Sequence, residues 1–186
     1  MRKELALTPV QHQALVARKT PEGRLGFLGV RAAFVRLGKN LSNLSMAENG
    51  APQLPEGFCS FSHSATFATA VFSTHRVGVD VEGYRPKITR IAQKFVHEKE
   101  TFLNQLPAVE GLTRLWTAKE AIYKALNTAG VSLAEQIEVA PFSLEDTQGS
   151  AQVYLGQNRC RVQLQFSTFE QHELTIAHTL CYESIH

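Results

Sequence analysis

The spacing of apolar residues predicts a helical start to the chain, followed by a polar loop and a strand-rich segment. Over residues 8–37 the apolar side chains recur at helical intervals, with a break at the Pro-Glu-Gly sequence 21–23. Residues 38–57 are rich in Gly, Asn, Ser and Pro, which predicts a loop. The next segment, 58–72, is rich in Phe, Ser and Thr and predicts two short strands around the Ser-His-Ser sequence 62–64.

The remainder of the chain contains both the strand period and the helix period. Strict alternation over 77–82 predicts a strand, and the patterns over 88–95 and 98–106 predict two helices. The strongest helical pattern predicts a long helix over about 112–126, which ends near Asn127. Alternation returns in the last third and predicts strands of a mainly antiparallel sheet over 153–155, 162–166 and 174–180.

The order of these elements predicts an α+β fold, because helices and strands occur in clusters instead of regular β-α-β units. A helix followed by strands occurs twice along the chain. We therefore expect one domain spanning 1–186 that contains two similar halves, about 1–78 and 79–186. No long residue-by-residue repeat accompanies this duplication.

Composition narrows the class of protein without identifying its chemistry. The chain has 186 residues, of which 44% are hydrophobic, so it can bury a core and is not globally disordered. The 19 Lys and Arg against 17 Asp and Glu leave a net charge of +2, so we expect no nucleic-acid partner. No apolar run reaches the length of a signal peptide or a membrane span, so we also expect no membrane partner.

The cysteines predict neither a disulfide framework nor a structural zinc site. The chain has three of them, an odd number, and none forms the Cys-x-x-Cys spacing. We interpret Cys59, Cys160 and Cys181 as buried free thiols of a cytoplasmic protein, because thiols persist in that reducing compartment.

Two acidic side chains share one face of the strand predicted over 77–82. Alternation places the three valines on one face and Gly78, Asp80 and Glu82 on the other. Carboxylates two residues apart on a strand are about 6.5–7 Å apart at Cα, so both can reach one cation. Hard oxygen ligands suit Mg²⁺, and Gly78 would leave the backbone open to a ligand. The alternative is a half-buried strand with a solvated acidic face.

The long helix carries a second row of polar residues. Trp116, Glu120 and Lys124 are spaced at i, i+4 and i+8, so they lie along one face, and Lys119 flanks this row. Glu120 could supply a third carboxylate to a cation, and Lys124 could bind a phosphate. The alternative is a surface Glu–Lys pair beside a tryptophan that anchors the core.

Five segments together resemble the 4′-phosphopantetheinyl transferase family. The most specific are Val-Gly-Val-Asp-Val-Glu at 77–82 and Trp-Thr-Ala-Lys-Glu-Ala-Ile-Tyr-Lys-Ala at 116–125. Between them, Lys-Phe-Val-His-Glu-Lys-Glu at 94–100 resembles the family's Phe-rich stretch ending in Glu. Upstream, Phe-Ser-His-Ser at 61–64 resembles its Ser-His segment, and 24–31 resembles its basic N-terminal helix.

This resemblance implies an enzyme that transfers the phosphopantetheine arm of coenzyme A to a serine of an apo acyl or peptidyl carrier protein. The product released is adenosine 3′,5′-bisphosphate. The length of the chain is similar to the larger subfamily that activates surfactin and siderophore synthetases. Members of that subfamily hold two half-domains in one chain, which implies a pseudo-dimeric monomer with the active site in the cleft between the halves.

The resemblance also implies roles for individual residues. Asp80, Glu82 and Glu120 match Mg²⁺ ligands, and Glu120 matches a candidate general base that acts directly or through a water. Lys124 would neutralise or protonate the leaving bisphosphate, and Lys119 would support the same phosphates.

Further residues match contacts to coenzyme A. Ser62 and His63 correspond to residues that bind its phosphates, and Arg24 and Arg31 lie on one face of the predicted helix. A hydrogen-bonded structural histidine and solvated arginines are the alternatives. Ala51 stands where the family often has a lysine that touches coenzyme A.

Three hypotheses about the function therefore remain open from the sequence. The first is the transferase, and the second is a non-catalytic module that binds coenzyme A or a carrier protein, which the alanine at position 51 motivates. The third is a generic Mg²⁺-dependent phosphohydrolase. Glu100 could serve the site or lie on a helix surface, and the sequence does not say which carrier protein would be served.

Overall fold

A computed structural model describes the backbone of residues 5–184 and the side chains of residues 5–180. The first half of the described chain contains two α-helices and two small antiparallel hairpins. The helices are α1 (Pro9–Val16) and α2 (Pro21–Arg36), and the four strands are β1 (Ser45–Met46), β2 (Pro52–Gln53), β3 (Phe58–His63) and β4 (Ala68–Ser73). Thr8 and Thr20 cap the two helices through their side chains, and a proline begins each helix, so the predicted break lies before Pro21.

The second half contains one long helix on an antiparallel sheet. The helix α3 (Ala108–Leu126) lies against five described strands: β5 (Val77–Gly83), β6 (Ile137–Val139), β7 (Gln148–Leu155), β8 (Asn158–Phe169) and β9 (His172–Ser184). Their spatial order is β5-β9-β8-β7-β6. The prediction of a mainly antiparallel sheet in an α+β fold is confirmed. That the two halves resemble each other stays a prediction.

The two segments between β5 and α3 are 3₁₀-helices instead of the α-helices expected from the sequence. They span Pro86–Lys94 and Thr101–Gln105. Ile88 and Phe95 are buried, and Ile91 packs against them at the edge of the core. One apolar row of this kind is enough to hold a short segment to the core, and a 3₁₀-helix with its three-residue period presents such a row.

Gly78 is required by the packing of α3 on β5. A Cβ at this position would overlap the backbone carbonyl of Ala121 and lie 2.6 Å from the amide nitrogen of Ala125. The helix therefore crosses directly over the glycine. The expectation that Gly78 leaves open backbone for a ligand is wrong, because α3 fills that space.

The halves meet where the serines of β3 cover the free edge of β5. Ser60 Oγ accepts the Val79 N–H at 3.1 Å, and Ser62 Oγ accepts the Val81 N–H at 3.3 Å. Strand β5 pairs with β9 along its whole length, so these hydroxyls serve the amides on its other side. Side chains of the first half thus fix the position of the strand that carries the predicted carboxylates.

A buried ion pair anchors the far end of β5. Arg114 Nε donates to Glu173 Oε2 at 3.1 Å, and both side chains are almost wholly buried. Tyr84, which directly follows β5, donates its hydroxyl hydrogen to Glu173 Oε1 at 2.7 Å. This network joins α3, β9 and the end of β5.

Two of the cysteines can be assigned. Cys59 is a buried free thiol, as expected, and Cys160 is also buried, whereas the side chain of Cys181 lies outside the described residues. Across the described chain, no helix has the length and apolar character needed to cross a membrane.

Candidate active site

Asp80 lies at the centre of the contacts between the two halves. It is 5% exposed, and its Oδ1 accepts hydrogen bonds from Ser62 Oγ at 2.7 Å and from Lys124 Nζ at 2.6 Å. Its Oδ2 is buried and has no hydrogen-bond partner among the described residues. A buried carboxylate oxygen without a donor is costly unless a cation or a polar ligand approaches it.

Lys124 reaches Asp80 from the last turns of α3. Its Nζ also donates to the Val79 carbonyl oxygen at 3.1 Å, and its side chain stays partly exposed. The ammonium group is therefore positioned by the protein while part of it still faces solvent. Such a group can bind a phosphate with little reorganisation.

Glu82 and Glu120 are half-buried, and both feel the charges of Asp80 and Lys124. Burial is the main cause that raises the pKa of each carboxyl, and the negative charge of Asp80 raises both further. The charge of Glu82 also raises the pKa of Glu120, while Lys124 opposes these effects. The structure therefore brings the three predicted carboxylates into one electrostatic cluster, because α3 packs on β5.

The donor chemistry of this cluster fits Mg²⁺. Within the described part of the chain, no three Asp, Glu, His or Cys side chains are close enough to form a ready-made metal centre. However, Asp80 Oδ2 lacks a partner, and the three carboxylates offer only hard oxygen ligands. The pKa values of Glu82 and Glu120 are raised first by burial and then by the negative charge of Asp80, and a divalent cation would offset the repulsion between these charges.

Lys119 points away from the carboxylates, so the structure does not bring it to the site where the sequence placed it. Its side chain is fully buried, and Nζ forms a 2.9 Å ion pair with Glu100 Oε1. It also donates to the carbonyl oxygens of Leu133 and Ile137 at 3.0 and 2.8 Å. Lys119 and Glu100 therefore connect α3 to the 3₁₀ segments and β6.

Glu100 is as buried as its partner. Its carboxylate accepts the His97 N–H at 2.7 Å and the Val139 N–H at 2.9 Å, besides the ion pair with Lys119. Of the two roles that the sequence left open for Glu100, the helix surface is excluded by this burial. The contacts of Glu100 indicate a structural role.

Ser62 and His63 lie at the end of β3 that faces Asp80. The Ser62 hydroxyl bridges the two halves, whereas the His63 ring is exposed, and its Nδ1 lies 3.3 Å from the Ser64 carbonyl oxygen. The ring also packs against Gly26 of α2, where a Cβ would lie 2.5 Å from it. Gly26 is thus the position that lets α2 approach the histidine.

Two arginines of the first half, Arg18 and Arg31, pack against the ring of Phe27. The guanidinium of Arg31 lies 3.2 Å from the centroid of this ring and that of Arg18 lies 4.6 Å from it. Arg31 is 4% exposed, and burial together with the charge of Arg18 lowers its pKa to about 10. Arg24 is exposed, and its Nε donates to the Arg18 carbonyl oxygen at 3.0 Å. Arg18 did not stand out in the sequence, because it precedes the predicted helix break.

A cavity of about 840 Å³ opens beside Lys124. Its walls include the β1–β2 hairpin, the start of β3 and the end of α3, with Phe58, Tyr123 and Ala51 among the lining residues. Two of the lining residues are joined by a hydrogen bond, in which the Asn49 amide donates to Asn127 Oδ1 at 2.8 Å. Its volume is in the range of pockets that hold small molecules and cofactors.

Comparison with known families gives one match to this chain. Residues 76–177 match the family described as the 4′-phosphopantetheinyl transferase superfamily. This segment covers more than half of the chain and includes all three carboxylates, Lys124 and most of the five-stranded sheet, up to the first residues of β9.

Curated proteins with similar sequences include two bacterial synthase components and one transferase. Enterobactin synthase component D of Salmonella typhimurium is 36% identical over 88 residues, which are 44% of this chain and 38% of that protein. The protein of the same name from Salmonella typhi is 39% identical over 82 residues, 41% of this chain and 35% of that protein. The 4′-phosphopantetheinyl transferase gsp of Aneurinibacillus migulanus is 36% identical over 69 residues, 35% of this chain and 29% of that protein. The match thus spans less than two fifths of each relative.

Proposed function

Because this chain belongs to the 4′-phosphopantetheinyl transferase superfamily, we propose that it transfers the phosphopantetheine arm of coenzyme A to a serine of a carrier protein. The observation that carries this proposal is the contact between Lys124 and Asp80, with Glu82 and Glu120 beside it. A positioned ammonium group and a cluster of carboxylates on one cleft suit the transfer of a phosphoryl group.

The reaction forms one bond and breaks one bond at phosphorus. The hydroxyl oxygen of the carrier serine attacks the β-phosphorus of coenzyme A, and the bond from that phosphorus to the bridging oxygen breaks. Adenosine 3′,5′-bisphosphate leaves with the bridging oxygen. Two charges have to be handled in this step, the proton of the serine and the negative charge on the leaving phosphate.

Glu120 and Lys124 have the chemistry for these two tasks. Glu120 would accept the serine proton, and burial raises its pKa toward the range where a carboxylate is an effective base. Lys124 would neutralise the leaving phosphate, because its ammonium group is held by Asp80 and the Val79 carbonyl and remains partly exposed.

Asp80, Glu82 and Glu120 would hold the Mg²⁺ ion that the family resemblance implies. When bound, Mg²⁺ supplies neutralisation of negative charge on the pyrophosphate oxygens. Asp80 Oδ2, the buried oxygen without a partner among the described residues, supports this assignment. Ser62 would orient Asp80 through its 2.7 Å hydrogen bond.

The first half would bind the remaining phosphates of coenzyme A. The exposed His63 ring lies against α2 at Gly26. Arg24 is exposed on the same helix, and Arg31 packs on the Phe27 ring together with Arg18, which precedes the helix. Guanidinium groups suit phosphates because two N–H groups can contact two oxygens at once. Lys119 is left out of this group, because it is fully buried in its pair with Glu100.

The carrier protein would belong to a biosynthetic synthase, as in the larger subfamily. Two relatives are named as components of enterobactin synthase. We infer a monomer of two half-domains, with acyl or peptidyl carrier proteins as the partners.

Mass spectrometry of carrier proteins tests this function. The protein is incubated with coenzyme A, Mg²⁺ and each member of a panel of apo acyl and peptidyl carrier proteins. We expect one carrier serine to gain the mass of phosphopantetheine. No gain on any carrier, together with tight coenzyme A binding in calorimetry, would instead support the non-catalytic binding module. Release of free phosphopantetheine without a carrier would indicate a phosphohydrolase.

A further inference from the structure

Four side chains connect the β3–β4 turn of the first half to the β8–β9 turn of the second. Thr66 Oγ1 lies 3.1 Å from His172 Nε2. The Phe67 ring meets His172 at 4.7 Å between centroids and Phe169 at 5.0 Å, both edge to face. The rings of Phe169 and His172 are stacked at 6.0 Å. We call these four residues the aromatic clasp.

On the first-half side, the clasp is rigidly connected to His63. The Ser64 N–H donates to the Phe67 carbonyl oxygen at 2.8 Å. The Ser64 hydroxyl accepts the N–H groups of Thr66 and Phe67 at 3.3 and 3.1 Å. These bonds make residues 64–67 a compact turn that directly follows His63. The position of Phe67 is therefore tied to the backbone that directly follows His63.

On the second-half side, His172 lies against the strand that carries Glu82. His172 is paired in register with Gly83, and a Cβ on Gly83 would lie only 3.1 Å from His172 Nε2. The tight turn before His172 has positive φ at Glu170 and Gln171, and the Glu170 carbonyl oxygen lies 2.8 Å from His172 Nδ1. The imidazole is thus fixed from its own turn.

We propose that His172 and Phe67 are positioning residues that set the separation between His63 and Glu82. This inference rests on the proposed transferase function. His63 would bind a phosphate of coenzyme A from the first half, and Glu82 would hold the cation from the second half. The pyrophosphate would then lie between groups of different halves. The serine contacts between β3 and β5 join these two strands along their edges, and the clasp adds a second contact at the ends of the strands, next to His63 and Glu82. A misplacement of about 1 Å can cost about 100-fold in rate, so this separation matters for transfer.

A double-mutant cycle tests whether His172 acts through His63. The variants are His172→Ala, His63→Ala and the combination, and kcat and KM for coenzyme A are measured where each variant is fully folded. We expect each single change to lower kcat/KM by about tenfold or more. The combination should be no worse than His63→Ala alone, because a positioning residue has nothing left to position. Independent, multiplicative losses would overturn the proposal.

Three further variants separate positioning from stability. Gly83→Ala should reproduce part of the loss, since its Cβ displaces His172 without removing any polar group. His172→Phe keeps the ring contacts and loses the hydrogen bond to Thr66, so we expect an intermediate loss. Val153→Ala, in the core of β7, is the control for lost stability and should leave kcat/KM unchanged where it is folded.

The outcomes also distinguish the inference from the function on which it rests. If the wild-type protein modifies no carrier, the proposed function fails and the inference fails with it. If the wild-type protein is active and His172→Ala has the same kcat and KM, only the inference fails.

Discussion

Lys119 and Lys124 lie on the same helix, five residues apart, but the side chain of one is buried and that of the other is partly exposed. Lys119 Nζ is fully buried and pairs with Glu100, while Lys124 Nζ pairs with Asp80 and its side chain remains partly exposed. Burial lowers the pKa of Lys119, and the charge of Glu100 opposes this effect. One lysine therefore holds the second half together, and the other is available to a substrate.

Replacing Lys119 should destabilise the fold and not the chemistry. We expect Lys119→Met to cost about 3–5 kcal/mol in the free energy of unfolding, because it leaves the Glu100 carboxylate buried without its cation. The double variant Lys119→Met/Glu100→Gln should recover part of that loss. Urea unfolding measures both. If the double variant is no more stable than the single variant, the assignment of this ion pair is wrong. If the folded Lys119→Met protein has a raised KM for coenzyme A, Lys119 contributes to coenzyme A binding.

Replacing Glu120 should impair the reaction without lowering the stability of the fold. We expect Glu120→Gln to lower kcat by about 100-fold or more, because the amide cannot accept the serine proton. Its thermal stability should be unchanged or higher, since the change removes a half-buried carboxylate beside Asp80. Glu110→Gln, on the first turn of the same helix, is the matched control and should keep full activity. Retained activity in Glu120→Gln would remove this residue from the mechanism.

Mg²⁺ should stabilise the folded protein through the carboxylate cluster. A ligand that binds only the native state at 100 times its Kd adds about 2.7 kcal/mol to the free energy of unfolding. We therefore expect Mg²⁺ to raise the melting temperature and EDTA to reverse this. In Asp80→Asn the shift should disappear. An equal shift in wild type and variant would place the ion elsewhere.

The two serines of β3 form a matched pair for mutation. Ser62→Ala removes hydrogen bonds to both Asp80 and the Val81 amide, whereas Ser60→Ala removes only the bond to the Val79 amide. Each should cost about 1–3 kcal/mol in stability, because a buried N–H loses its acceptor. Only Ser62→Ala should also lower kcat, as measured in the carrier assay. Equal kinetic losses would show that Ser62 does not act through Asp80.

The rate at which Cys59 is alkylated should show whether the cavity is occupied. Burial raises the pKa of this thiol to about 11, so we expect slow alkylation at pH 8 that accelerates as the pH rises toward that value. Cys59 lines the 840 Å³ cavity, so coenzyme A should slow its labelling further if it occupies that space. Peptide mapping by mass spectrometry measures the rate at this cysteine. A rate that coenzyme A does not change would exclude the cavity as part of its binding site.

Periodicity was sufficient to predict the residues that share an element. Alternation along β5 placed Asp80 and Glu82 on one face, and helical spacing placed Glu120 and Lys124 in one row, and the structure brings these four together. These are local properties, because a strand or helix fixes the direction of its side chains.

Periodicity could not predict contacts between elements that are distant in sequence. Lys119 lies one residue from Glu120, so spacing alone could not place it with Glu100 instead. Gly78 looked accessible in an isolated strand, and only the position of α3 shows that it is covered. The aromatic clasp joins residues about a hundred positions apart, and neither turn has a pattern that would pair them. These features depend on tertiary packing.

The serine hydroxyls of β3 that cover the edge of β5 also affect how copies of the molecule associate. An edge strand normally offers a row of amides that can extend a sheet into a neighbouring chain. Ser60 and Ser62 take up two of these amides with side-chain oxygens, and a hydroxyl cannot continue a backbone ladder. The strand that carries the candidate catalytic carboxylates is therefore protected from aggregation by the same contacts that join the two halves.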